Sequence, residues 1–161
     1  MIKPENILEI GTYTGYSALC MAEGLAKNGQ ITTIDINEEL KSRVQNYFES
    51  SDFKNQINYE IGNALDIIPK LDYTWDLVFI DADKVNYLNY FDLVVDNVRS
   101  GGLILVDNVL WWGKVLSSRT DGDATSEHLE SVCAEWAKRG GIRTTLLPIR
   151  DGILTIEKVE D

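Results

Sequence analysis

Short apolar runs that end in an acid or a glycine alternate along this chain with longer stretches whose apolar residues recur at helical spacing. Asn6 to Ile10 predicts a first strand, and Ser17 to Lys27 a first helix with Leu19, Ala22 and Ala26 on its apolar stripe. Asn28-Gly29 provides that helix with a stop. Gln30 to Ile36 predicts strand two, which runs out at Asp35. Asn37 is placed to cap the next helix, Glu38 and Glu39 suit its positive first turn, and Leu40, Val44, Tyr47 and Phe48 share one face. Ile57 to Ile61 predicts strand three, followed by Gly62-Asn63-Ala64 and a short helix from Ala64 to about Leu71. Trp75 to Ile80 predicts strand four, whose run Leu77-Val78-Phe79-Ile80 is continuously apolar, as a strand covered on both faces requires. From Asp81-Ala82-Asp83-Lys84 a helix runs to Val98, with Tyr87, Tyr90, Phe91, Val94 and Val95 at helical spacing. Gly101-Gly102 is expected to turn the chain into strand five, Leu103 to Val106, which ends in Asp107-Asn108. Val109 to Thr125 is a long connection, of the kind that is usually functional. Ser126 to Gly140 predicts the last long helix, and Thr144 to Pro148 with Gly152 to Lys158 a closing hairpin around Arg150-Asp151-Gly152.

Strands alternating with helices predict an α/β fold: a doubly wound, mostly parallel, seven-stranded sheet with a C-terminal hairpin that adds an antiparallel strand at one edge. At 161 residues, with no repeat, low-complexity tract or linker, residues 1–161 read as a single domain with one substantial core.

The formal net charge of −11 argues against a nucleic-acid backbone or an anionic membrane as partner. Cys20 and Cys133 lie far apart in helical patterns, so a reduced, cytoplasmic setting fits better than a disulfide framework. No signal-peptide pattern precedes strand one, and no apolar run approaches the about 20 residues that span a bilayer. A single histidine, His128, disfavours a histidine zinc site or a Ser-His-Asp triad, and His128, Cys20, Cys133 and Trp136 read as structural.

Ligands of open α/β sheets bind beyond the carboxyl ends of the strands. Here those ends are Glu9-Ile10-Gly11, Asp35, Gly62-Asn63-Ala64, Asp81-Ala82-Asp83 and Asp107-Asn108. Any one of these acids could simply cap the following helix, but polar or glycine-rich ends on all five strands point to a site. Asp35, 20 positions after Gly15, can accept both hydroxyls of a ribose. Gly11-x-x-x-Gly15 is not the dinucleotide glycine spacing, and Glu9 beside it would repel a pyrophosphate while suiting a cofactor with an ammonium and a sulfonium. Asp81, Asp107 and Asn108 are hard oxygen donors suited to Mg²⁺, Mn²⁺ or Ca²⁺, the alternative being that Asn108 only stabilises a turn. Lys84 lies three residues after Asp81 at a helix start, where a helix end and a nearby cation both disfavour an ammonium. That would suit a general base, and the alternative is a solvated surface lysine. Trp111 and Trp112 can wall a flat substrate or pack into the core.

The stretches Leu8 to Ser17, Asp35-Ile36-Asn37, Phe79 to Lys84, Asn86-Tyr87, Asp107 to Trp111 and Asp151-Gly152-Ile153 resemble, in order, the cation-dependent O-methyltransferases related to caffeoyl-CoA and catechol O-methyltransferases. The resemblance implies a Rossmann-like class I methyltransferase fold. It implies that Glu9, Gly11, Thr12, Tyr13, Ser17, Asp35, Ile36, Ala64 and Asp81 line an S-adenosylmethionine site, with Asp35 on the ribose and Ile36 and Ala64 near the adenine. Asp81, Asp107 and Asn108 would hold Mg²⁺ or a similar cation, Lys84 would take a proton from the acceptor hydroxyl, and Asp83 and Trp111 would face the acceptor, a small aromatic diol. Members of that family carry an N-terminal, mostly helical segment that closes over the cofactor and helps form a homodimer, whereas only eight residues precede Glu9 here. The sequence is therefore either a piece of a longer one or a naturally minimal version. Trp112 also departs from the family, which more often has a polar residue there. Two rivals remain at this stage: a non-catalytic module that binds S-adenosylmethionine, and a nicotinamide-dependent oxidoreductase domain.

Overall fold

The computed structural model describes residues 3–116 and 123–159. Seven strands form one sheet in the order β3-β2-β1-β4-β5-β7-β6. They are β1 (Asn6–Ile10), β2 (Gln30–Asp35), β3 (Ile57–Ile61), β4 (Trp75–Ile80), β5 (Val98–Asp107), β6 (Ile142–Leu147) and β7 (Ile153–Lys158). The first five strands run parallel, and β7 pairs antiparallel with both β5 and β6. The antiparallel strand therefore lies inside the sheet, not at its edge as expected. β7 carries the more apolar, better-buried face and takes the covered position, leaving the largely exposed β6 outermost.

Among the described residues, five α-helices cover the sheet: α1 (Tyr16–Ala22), α2 (Lys41–Glu49), α3 (Ala64–Ile67), α4 (Tyr87–Val94) and α5 (Ala124–Trp136). The two-residue period of the strands sorts their side chains between two cores. Ile7 and Ile31 pack with Ala18, Val44 and Phe48 under α1 and α2. Leu8, Ile10, Ile34, Val78 and Ile80 pack with Tyr87, Phe91, Leu129 and Trp136 under α3, α4 and α5. Trp136 lies against Phe91 with ring centroids 4.9 Å apart.

Several boundaries differ from expectation, three of them for a cause visible in the structure. α1 stops at Ala22 because Gly24 weakens the helix and the chain is drawn back to β1, the Ala26 N–H donating to the Pro4 carbonyl at 2.9 Å. β5 begins at Val98, since Gly101-Gly102 forms a bulge within the strand and not a turn before it; the register against β4 shifts between Trp75 and Leu77. α5 begins at Ala124, where Asp123 caps it by accepting from the Thr125 and Ser126 N–H groups. Tyr47, expected on the buried face of α2, is exposed. Asn37 caps as expected, its side chain accepting from the Glu39 N–H at 2.9 Å.

One carboxylate is fully enclosed by the sheet and its helices. Glu9 pairs in register with Thr33, whose hydroxyl donates to Glu9 Oε2, and the Thr12 hydroxyl sits 2.5 Å from that of Thr33. Glu9 Oε1 has no hydrogen-bond partner. Burial pushes the Glu9 carboxyl up to about 7 from an ordinary 4.5; the Asp81 and Asp35 charges add to this and the Ser17 and Thr33 hydroxyls oppose it. The folded chain thus keeps a proton that the unfolded chain releases. The resulting stability is fully present below the unfolded value and is lost as pH rises toward the folded one. At about 1.4 kcal/mol per pH unit, the loss is on the order of 3 kcal/mol. Glu9→Gln, which mimics the neutral acid, is expected to lack this decline. Urea unfolding of both chains from pH 4 to 8 measures it, and parallel pH profiles would contradict a protonated Glu9.

Candidate functional site

Parallel strands deliver their carboxyl ends to one rim of the sheet, and the chain reverses direction across it between β1 and β4. The turn after β1 is wedged at this point. The Gly11 N–H donates to the Ile34 carbonyl and the Asp81 N–H to the Ile10 carbonyl, each at 2.9 Å. Gly11 has φ +105, and a Cβ there would collide with the Asp81 carbonyl oxygen. At Gly15, with φ +80, a Cβ would meet the Phe48 ring at 2.7 Å.

The ends of β1 to β4 line one cleft of about 220 Å³. Of the residues anticipated for a cofactor, Gly11, Tyr13, Asp35, Ile36, Ala64 and Asp81 lie on its wall, and Asp83 and Tyr90 join them. Asp35 is fixed by backbone donors: Oδ2 accepts from Tyr13 at 2.6 Å and Oδ1 from Asn37 at 2.8 Å. Each oxygen keeps a lone pair for a ligand. Tyr13 and Ile36 are largely exposed at the mouth. Glu9, Thr12 and Ser17 are not on the wall; Glu9 and Thr12 are buried behind the turn and Ser17 is half-buried in the first turn of α1.

A single ammonium joins the ends of β4 and β5. Lys84 Nζ donates to Asp81 Oδ1 at 3.3 Å, the Ala82 carbonyl at 3.2 Å, Asn108 Oδ1 at 3.0 Å and the Tyr87 hydroxyl. It has three N–H groups for four oxygens. The Tyr87 hydroxyl in turn donates to the Asp107 carbonyl at 2.8 Å. Burial raises the Tyr87 pKa, with the charges of Asp81, Asp107 and Asp83 adding, so this hydroxyl stays protonated. Burial also raises Asp107, where the Asp81 charge adds and the Asn108 N–H and Lys84 oppose. Asn108 is held at φ +60, its N–H donating to Asp107 Oδ1 at 2.7 Å. Among the described residues, no three His, Cys, Asp or Glu side chains cluster as a metal site. The side-chain oxygens at the very ends of β4 and β5, those of Asp81, Asp107 and Asn108, come from two carboxylates and one amide.

A second cleft, of about 690 Å³, opens beside the junction and is lined by Asp107, Asn108, Leu110, Trp112, Gly113, Arg150, Asp151 and Ile153. Trp112, 83% exposed, is the indole on its wall. Trp111 is half-buried against the core, its Nε1–H donating to Asp123 Oδ2 at 3.2 Å. Asp83 faces the first cleft, and its carboxylate accepts from the Tyr90 hydroxyl at 2.5 Å and from Asn86 Nδ2 at 2.6 Å. Reading the sequence missed Tyr87, Tyr90 and Arg150 as site residues. The two tyrosines were legible only as an apolar helical stripe; their spacing of three from Lys84 and seven from Asp83 is the signal that places the hydroxyls beside those groups. Cys20 and Cys133 are free thiols, Trp136 is core, and His128 is half-buried with Nε2 unpartnered. No helix among the described residues is long and apolar enough to cross a membrane.

Comparison with known proteins agrees with this fold. A caffeoyl-CoA O-methyltransferase of Petroselinum crispum is 40% identical, the match covering 99% of this chain and 70% of that protein. The structure of the O-methyltransferase TomG from Streptomyces achromogenes, involved in tomaymycin synthesis and in complex with S-adenosylmethionine, superposes with a TM-score of 0.88 at 26% identity, over 98% of this chain and 74% of that one. Cofactor-bound Rv0187 from MTB superposes with a TM-score of 0.91 at 27% identity, over 99% and 75%. The sequence profile of the O-methyltransferase family matches residues 1–159, and the chain belongs to that family.

Proposed function

We propose that this chain transfers the methyl group of S-adenosylmethionine to one hydroxyl of a vicinal dihydroxy aromatic, with the help of a divalent cation such as Mg²⁺, Mn²⁺ or Ca²⁺. The observation that carries the reading is the junction between the two clefts. There, side-chain oxygens from the ends of β4 and β5 already converge on one cation, the Lys84 ammonium. The donor set fits a hard divalent ion: Asp81, Asp107 and Asn108 offer oxygen only, and the mutual repulsion of the two carboxylates is relieved by positive charge between them. Such an ion, when bound, supplies the charge that acidifies a nearby aromatic hydroxyl. S-adenosylmethionine supplies the sulfonium methyl, and its presence in the similar Streptomyces achromogenes enzyme supports this choice.

The chain's own groups divide the remaining work. Asp35 accepts the ribose hydroxyls, and Ile36 and Ala64 flank the adenine at the cleft mouth. Gly11, having no side chain, lets the donor approach the backbone at the sheet's switch point. With a divalent ion in its place between Asp81 and Asn108, Lys84 Nζ would be the neutral amine that takes the proton of the acceptor hydroxyl, while the Tyr87 hydroxyl and the Ala82 carbonyl hold it in place. Trp112, the indole on the wall of the second cleft, flanks the ring. Holding both reactants across one junction supplies much of the rate.

Isothermal calorimetry is expected to show S-adenosylmethionine binding that Asp35→Ala weakens at least about tenfold, the loss of a charged hydrogen-bond acceptor. Binding of NADH without S-adenosylmethionine would overturn the reading. With catechol as acceptor, methyl transfer is expected to need Mg²⁺ and to vanish in Asp107→Ala. Full turnover in excess chelator would remove the metal role from Asp81, Asp107 and Asn108. Binding of the methyl donor without turnover of any diol would identify a binding module.

A further inference from the structure

We propose that Arg150 selects a methyl acceptor bearing a negative charge beside its hydroxylated ring. The inference rests on reading the second cleft as the acceptor site.

Arg150 is the single basic side chain lining either of the two clefts among the described residues. It shares the second with Asp107, Asn108 and the exposed indole of Trp112. Its guanidinium makes no hydrogen bond or ion pair within the described chain, although a carboxylate follows it in sequence. That carboxylate is otherwise engaged: Asp151 Oδ1 accepts from the Trp112 N–H at 2.5 Å.

Arg150 is not on a loose loop. The Leu110 N–H donates to the Asp151 carbonyl at 2.9 Å and the Val109 N–H to the Gly152 carbonyl at 3.2 Å. The Gly152 N–H closes back on the Ile149 carbonyl at 2.9 Å. These bonds stitch the β6–β7 turn to the segment that carries Asn108 and Trp112, so the backbone of Arg150 has a fixed relation to both, and its side chain reaches the cleft from a set point. Arg150 also adopts φ +53, a left-handed conformation that a glycine would take without strain. The turn alone does not call for an arginine there.

Charge explains what the arginine does. The chain carries a net charge of −11, and Asp107 and Asp151 face this cleft. That field repels an anionic acceptor and needs no correction for a neutral or cationic one. A free guanidinium, with its planar fork of donors, matches a carboxylate or a phosphate. The cleft therefore suits an aromatic ring against Trp112, hydroxyls toward Asp107 and Asn108, and an anionic substituent at Arg150.

The test compares methyl transfer to 3,4-dihydroxybenzoate, caffeoyl-CoA and uncharged catechol by the full chain and by Arg150→Gln, Arg150→Lys and Arg150→Gly. The parent is expected to prefer an anionic acceptor over catechol in kcat/KM. Arg150→Gln and Arg150→Gly are expected to lower that preference on the order of tenfold through KM, and Arg150→Lys to restore part of it. Loss with 3,4-dihydroxybenzoate assigns the anion to a ring-borne carboxylate; loss with caffeoyl-CoA alone assigns it to a phosphate. An unchanged ratio for both anions would overturn the proposal while leaving the methyl-transfer reading intact. Should no acceptor turn over, that reading fails instead. Quenching of tryptophan fluorescence by 3,4-dihydroxybenzoate then tests Arg150 separately: about tenfold weaker binding in Arg150→Gln supports its role, and equal binding excludes it.

Discussion

The geometry of the site depends on the absence of one side chain. Gly11 closes β1 so tightly between β2 and β4 that a Cβ would stand only 2.2 Å from the Asp81 carbonyl oxygen. The contact brings the β1 turn onto the end of β4, the neighbour across which the sheet changes direction. Asp81 therefore stands at the edge of the first cleft and at the junction with β5 at once. A bulkier residue at Gly11 would push these two ends apart and separate the clefts. The hydrogen bonds to Ile34 and from Asp81 hold the same turn from both sides.

Acids gathered at strand ends repel one another, and this fold answers that in three ways. Glu9, sealed under α1, keeps its proton. Asp35 is met by two backbone N–H groups and Asp83 by the side chains of Tyr90 and Asn86. Asp81 and the end of β5 are joined by the Lys84 ammonium, itself steadied by a buried tyrosine. Of the three, only the last leaves a charge between the clefts that another cation could replace. This is why the junction, more than either cleft alone, carries the chemical reading.

Much of this was legible in the sequence where local pattern decides the outcome. β1, β3 and β4 have the bounds expected of them, because short segments rich in apolar residues and flanked by polar turns leave few alternatives. The acids that end β1, β2, β4 and β5 were visible for the same reason, and so was Lys84 from its spacing to Asp81. Strand order was less accessible. A hairpin pattern says that β6 and β7 are neighbours, but not which of them abuts β5. The early end of α1 and the bulge in β5 arise from glycines whose effect depends on the strand alongside. The exposed indole could not be told from its neighbour: Trp111 and Trp112 differ only in which one the loop turns toward the core. Arg150 read as part of a turn, since its place in the second cleft follows from bonds between segments 39 or more residues apart.

Anomalous scattering from crystals of this chain soaked in Mn²⁺ tests the central claim most directly. The account predicts one ion held by the oxygens of Asp81, Asp107 and Asn108, with Lys84 Nζ moved off Asp81 and Asn108. Manganese bound elsewhere, or Lys84 still bridging those two side chains at saturating Mn²⁺, would contradict it.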